Sequence, residues 1–155
     1  MTLDEHIWRI VELEKRDGVY NAAVERTIFE HVAQGKSPPT FLFTEYAPTI
    51  SLGRAQSYTL DVDETVCKER GIPILRRRSG GQAVYVDQGY FVFSAHARSS
   101  LLTTNITHLR RSFCHVMIDA LQNVGVPAKF HEPDNIVIHD SHYRTLGNSG
   151  QVVSK

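Results

Sequence analysis

Apolar residues along the 155-residue chain change their spacing several times, and each change marks an element. His6 to Leu13 carries Ile7, Trp8, Ile10, Val11 and Leu13 without a helical repeat, so its length and composition predict an opening strand. Asp17 and Gly18 interrupt it. From Tyr20 the positions Tyr20, Val24, Ile28 and Val32, with Phe29 and Ala33 beside them, share one face of a helix, and Gly35 stands where a C-terminal cap belongs. Pro38 and Pro39 punctuate, and Thr40 to Thr44 then reads as a strand. A second strand, Thr49 to Gly53, runs out into Arg54-Ala55-Gln56. Asp61 or Asp63 can cap a short helix through Arg70, which Gly71 and Pro73 end.

Ile74 and Leu75 lead into Arg76-Arg77-Arg78-Ser79-Gly80-Gly81, after which Ala83 to Tyr85 and Tyr90 to Ser94 are rich in the branched and aromatic residues that strands prefer. The stretch reads as strand, glycine turn, strand, tight turn at Gln88 and Gly89, strand. The segment AHARSSLLTTN that follows is loop-like. Ile106, Leu109, Phe113, Val116, Met117, Ala120, Leu121 and Val124 then keep a three-and-four spacing up to Gly125, which predicts a long helix capped by Thr104, Asn105 or Thr107. Val126 to Phe130 is extended, Ile136 to Ile138 forms a strand, and Tyr143 to Leu146 begins its partner. Strands alternating with helices in a chain of this length predict one compact α/β domain.

Composition narrows the chemistry mainly by exclusion. At 41% hydrophobic and 22% charged the chain is ordinary globular material. Lys plus Arg equals Asp plus Glu at 17 each, so no global field points to nucleic acid or an anionic membrane; positive charge is local, in Arg76 to Arg78. No apolar run approaches a membrane span, and MTLDEHIWRI lacks the pattern of a secretory signal. A cytoplasmic location follows as the expectation, or an organelle matrix if a targeting segment is missing. Cys67 and Cys114 form no C-x-x-C pair and no disulfide scaffold; both are expected as reduced thiols, with Cys114 among the apolar positions of its helix. His139 and His142 flank a turn but lack a third ligand nearby in sequence. Ser79 is not in a Gly-x-Ser-x-Gly elbow, and no Walker-type loop occurs.

The arginine and glycine stretch is where binding chemistry concentrates. A residue without Cβ lets main chain lie directly against a ligand, where consecutive N–H groups converge on an anion, and neighbouring arginines supply countercharge. The plainer alternative is a hairpin whose glycines serve only the turn and whose arginines are solvated.

The segment Arg76, Arg77, Arg78, Ser79, Gly80, Gly81, Gln82, Ala83, Val84, Tyr85, Val86, Asp87 resembles the signature of the lipoate-protein ligase A family, within the biotin and lipoate ligase superfamily. Other stretches are similar to the family too: Asn21 to Glu25 to its Asn-x-Ala-x-Glu helix, Gly53 to Gln56 to its Gly-x-x-Gln strand end. Asp134 and Asn135 resemble its Asn-Asp pair, and Arg144 to Ser149 its Lys-x-Ser-Gly element. The resemblance implies an α/β (α+β) fold with a mixed, largely antiparallel central sheet and helices packed on it. It covers nearly all of this chain and the front portion of the usual catalytic domain. An accessory C-terminal domain or partner subunit would complete it.

The implied reaction joins lipoate or octanoate to ATP with Mg²⁺, then passes the acyl group from acyl-AMP to a lysine of a lipoyl carrier domain of the E2 or glycine-cleavage H protein type. On this chain Arg144 takes the catalytic lysine's place. Arg76, Arg77, Ser79, Gly80, Gly81, Gln82, Ala83, Asp134, Asn135, Gly147 and Asn148 would bind substrate and nucleotide. Ile50, Leu52, Gly53 and Val84 would wall the acyl slot, and Asp134 would hold Mg²⁺. The chain departs from the family pattern at Gln82, Val86, Tyr90 and Arg144, and in the order Asp134-Asn135. Arginine keeps the charge, but its planar fork is no substitute for a compact ammonium. A non-catalytic acyl-adenylate-binding relative or a subunit of a split ligase is therefore the alternative. An octanoyl or lipoyl transferase is another; the transferase cysteine would lie near the last motif, where this chain has His131 and Glu132.

Overall fold

A computed structural model describes residues 7–102, 105–133, 135–139 and 143–146. They belong to two compact units, Met1–Leu101 and Leu102–Lys155.

The first unit opens with β1 (Arg9–Arg16), α1 (Gly18–Ala33) and β2 (Thr40–Tyr46). β1 pairs parallel with β2, so α1 is the crossover that a parallel pair requires. Asp17 accepts from the Tyr20 N–H at 2.9 Å, and this cap starts the helix at Gly18, earlier than the apolar spacing alone suggests. Gly35 has φ of 72° and follows the helix as expected. Ile28 and Val32 of α1 bury against Leu42 of β2, with Val11, Leu13 and Val24 around them. β6 (Phe91–His96) joins β2 antiparallel and runs on past Ser94, because Thr40 and Phe41 still offer it a ladder at His96 and Ala95.

β3 (Thr49–Leu52), α2 (Tyr58–Asp61), α3 (Glu64–Glu69), β4 (Ile74–Arg76) and β5 (Val84–Val86) form the rest of this unit, with a 3₁₀ turn at Ser99–Leu101. Asp63 caps α3 by accepting from the Val66 N–H. The strand order is β4-β3-β5, with β4 parallel and β5 antiparallel to β3. This corrects the hairpin reading of the arginine and glycine stretch. β4 and β5 do not pair with each other; the Arg77–Ala83 connection passes over the end of β3, which lies between them. The turn at Gln88 and Gly89 likewise joins two sheets instead of closing a hairpin. Asp87 holds that turn, accepting from the Gly89 N–H at 2.8 Å and, through its main-chain oxygen, from Tyr90 at 3.0 Å.

The second unit contains α4 (Ile106–Asn123), β7 (Ala128–His131), β8 (Asn135–His139) and β9 (Tyr143–Leu146), the strands all antiparallel in that order. Asn105 caps α4, accepting from the His108 N–H at 3.1 Å. Cys114, Ile118, Ala128 and Ile136 form its core, with Met117, Leu121, Phe130 and Ile138 packed against them. Cys114 is thus a core residue, and neither cysteine is in a disulfide. Among the described residues no helix is long and apolar enough to cross a membrane.

Candidate functional site

The C-terminal end of β3 is a crossing of two main chains. A Cβ placed on Gly53 would lie 1.9 Å from the carbonyl oxygen of Gly81, so only glycine fits where the end of β3 meets the glycine loop. Two main-chain bonds hold the crossing: Arg77 N–H to Leu52 O at 2.9 Å and Arg54 N–H to Ser79 O at 3.0 Å. Gly81 has φ of 96°, the left-handed conformation that glycine adopts without strain. The glycines therefore serve a close approach of backbone, which the sequence could not distinguish from a turn.

The three consecutive arginines go to three different places. Arg76 donates through Nη1 to the main-chain oxygens of Gly53, Arg54 and Gln56, at 3.0, 3.3 and 2.7 Å. Arg77 donates to Ser51 O at 2.7 Å, to Gly80 O from Nη2 at 2.8 Å and to Gln82 O at 2.7 Å. Arg78 reaches Glu30 on α1 at 3.4 Å and lies over the Phe29 ring. None of the three is a guanidinium hanging free in water. Burial pushes the Arg77 pKa down from the usual arginine value, and no carboxylate lies within ion-pair distance of it among the described residues. Among the described residues its charge is met by carbonyl dipoles and the Ser51 hydroxyl.

The N–H groups of Gly80, Gly81 and Gln82 meet no protein acceptor among the described residues. Successive unbonded donors beside a partly buried cation are the arrangement from which anion cradles are built. Gly80, Gly81, Gln82 and Arg77 lie together in this connection, with Ser79 and half-buried Ala83 on either side.

Of the expected acyl-slot residues, Leu52 is fully buried and Ile50 half-buried on one face of β3. Val84 pairs directly with Ser51 and Ile50 with Tyr85. Cross-strand partners share a face and neighbours alternate, so Val84 lies on the face opposite to Ile50 and Leu52. A single wall made of all three is corrected by the pleat; Tyr85 and Ile74 are the cross-strand neighbours of Ile50. In the second unit Asn135 faces His131 in the ladder and Arg144 faces Ile138. Asp134, Gly147 and Asn148 lie outside the described residues. Among those described, no group of three or more His, Cys, Asp or Glu gathers to hold a metal.

A second polar cluster, unmarked by the sequence beyond the Asn21 to Glu25 pattern, lies between α1 and the β2-β6 pair. Ser94 Oγ and His96 Nε2 are 2.8 Å apart, and Glu25 lies beside the Ser94 hydroxyl. Burial pushes the His96 pKa down to about 4 and raises that of Glu25. Burial first, then the nearby Glu25 charge, pushes Tyr46 up to about 12. Asn21, fully buried, donates to Glu45 O at 2.9 Å, and its Oδ1 meets no donor among the described residues. Ser94 and His96 alternate along β6, which puts both on one face.

Known proteins place this architecture. An octanoyltransferase LipM from Exiguobacterium sp. is 32% identical over 128 residues, spanning 81% of this chain and 46% of that protein. The chain spans about half the length of the curated relatives it matches. The structure of a bi-partite lipoate protein ligase and its E2 lipoyl domain from Thermoplasma acidophilum superposes with a TM-score of 0.84 at 24% identity, over 96% of this chain and 58% of that one. A crystal structure of lipoate-protein ligase A bound with ATP superposes with a TM-score of 0.71 at 25% identity, over 85% of this chain and 53% of that one. The mixed α/β arrangement is thus the lipoate-protein ligase fold. Residues 17–155 match the model of the lipoyl protein ligase A/B catalytic domain, and the chain belongs to that family.

Proposed function

We propose that this chain binds lipoate or octanoate as an activated acyl adenylate and passes the acyl group to a lysine of a lipoyl carrier domain. The observation that carries the reading is the crossing at the end of β3, where the Gly80, Gly81 and Gln82 N–H groups are left for an anion beside the partly buried Arg77 cation. A carboxylate or α-phosphate seated there would have its charge met by preorganised donors, and the same donors would stabilise charge developing on the acyl carbonyl oxygen. Leu52 and Ile50 would offer apolar surface to the acyl chain.

ATP fits the cradle in charge, and when bound it would supply the adenylyl group that turns the carboxylate into a mixed acyl-phosphate anhydride, with pyrophosphate as the leaving group. Asn135 and Arg144 of the second unit would take the nucleotide-side and catalytic positions, in line with the family motif. A Mg²⁺ site at Asp134 is a proposal from the motif alone, and no step is built on it. The acceptor is a lipoyl domain of the E2 or H-protein type, as one structural neighbour's E2 partner suggests. The site of action is the cytoplasm.

Octanoyl transfer without ATP is the second reading, favoured by the LipM relatives. A thioester route needs an accessible thiol, and within these residues both cysteines are buried, Cys114 wholly so. Incubating a lipoyl domain with this protein and either octanoate plus Mg-ATP or an octanoyl thioester donor separates the readings by mass spectrometry. The first reading expects a mass gain only with ATP. A gain only with the thioester sinks it in favour of transfer. No gain from either, with adenylate binding seen by calorimetry, leaves a binding module. Under the first reading Arg144→Lys raises the ATP-dependent yield.

A further inference from the structure

Arginine carries five N–H donors, and at Arg77 every one is already engaged by protein. Nε donates to Gly80 O at 3.3 Å; Nη1 to Ser51 O at 2.7 Å and Ser51 Oγ at 3.5 Å; Nη2 to Gly80 O at 2.8 Å and Gln82 O at 2.7 Å. No donor remains to touch an anion. The acceptors lie on two separate pieces of chain, the end of β3 and the glycine loop. The guanidinium also fills the space beneath Gly81, whose Cβ, if present, would lie 2.8 Å from Nη2.

We infer that Arg77 is a positioning residue: its fork ties the carbonyl oxygens of Gly80 and Gln82 to the end of β3 and so holds the intervening N–H groups ready for the anion, without itself contacting it. This inference rests on the anion-cradle reading of the site. The C=O of one residue and the N–H of the next share a peptide and point in opposite directions, so gripping Gly80 O sets where the Gly81 N–H faces, and gripping Gln82 O pins the far end of the turn that carries the Gln82 N–H. A loop of glycines would otherwise sample many conformations, and each donor would have to be ordered at the moment of binding. The cation also contributes its field at one residue's remove, since no carboxylate neutralises it among the described residues.

Two substitutions separate fork from charge. Arg77→Lys keeps the charge on one nitrogen, which cannot bridge three carbonyls on two segments; Arg77→Gln loses both charge and fork. Backbone amide exchange in the ligand-free protein reads the loop directly, and calorimetry with an acyl-sulfamoyl adenosine reads the cradle. Positioning predicts that both variants exchange the Arg54 amide, which donates to Ser79 O of the loop, and the position-77 amide, which donates to Leu52 O, roughly 10- to 100-fold faster while Val86 and Leu42 stay protected, and that affinity falls similarly in both. Gly81→Ala, which pushes on the fork while leaving Arg77 in place, is expected to loosen the same amides.

Unchanged exchange in all three variants overturns the inference. So does full affinity in Arg77→Lys with loss in Arg77→Gln, the mark of a direct charge contact. If the wild-type protein binds no adenylate, the function reading fails, and the exchange comparison still decides the positioning role.

Discussion

His96 shows how one side chain converts burial into pH dependence. Its imidazole is buried on β6 beside Ser94, edge-on to Phe29, and its pKa falls from 6.5 to about 4 because burial disfavours the cation. Between those values the unfolded chain holds a proton that the folded chain does not, so stability rises with pH across the window and is lost as pH falls from 6.5 toward 4. The gap corresponds to about 3 kcal/mol. Glu25 acts with the opposite sign: its raised folded pKa means that its contribution is present at low pH and lost as pH rises through that value. Urea unfolding of wild type and His96→Gln at pH 7 and pH 4.5 is the check. The wild type should lose most of that energy and the variant much less; equal losses would mean that His96 does not set the slope. None of this was legible in the sequence, where Ser94 and His96 are two polar residues near a strand end. Desolvation belongs to the packed state.

At the scale of elements, patterns that depend on neighbours in sequence were readable and those that depend on partners across space were not. α1 and α4 follow from apolar residues at helical spacing, with Asn105 among the caps read for α4, while Asp17 reads as a break and proves to be the cap of α1. The pairing of β4 and β5 is not local. Both strands read as the arms of a hairpin, yet each bonds to β3, because β3 has two free edges and an apolar face to share. Gly53 becomes intelligible only then. It reads as the end of a strand in sequence, while in space its missing Cβ is what admits Gly81 O at 1.9 Å. Gly53→Ala is therefore expected to cost about 2–4 kcal/mol and to abolish ligand binding, since neither backbone yields cheaply. Chemical denaturation with near-UV circular dichroism measures it, and a loss below about 1 kcal/mol would show that the crossing gives way.

For the molecule as a whole, the charge balance of 17 cations to 17 anions confines positive potential to the arginine stretch. Even there Arg76 and Arg77 are turned onto carbonyls and Arg78 onto Glu30, so the stretch presents no broad basic surface among the described residues. The protein should pass unretained through a heparin column at pH 7 and about 0.15 M salt, where the Debye length is about 8 Å; retention would reveal a polyanion site. Composition, the helices, most strand positions, and the clustering of arginine and glycine before a strand were set by residue order alone, because helical repeats, caps and glycine permissiveness act within a few residues. The family signature rests on that same local order. Tertiary structure decided the rest: which strand lies between which, that Val84 faces away from Leu52, and that Arg77 grips oxygens. It also decided that His96 stays neutral. Those outcomes depend on hydrogen-bond partners tens of residues away and on exclusion of water, and neither is written at any one position of the chain.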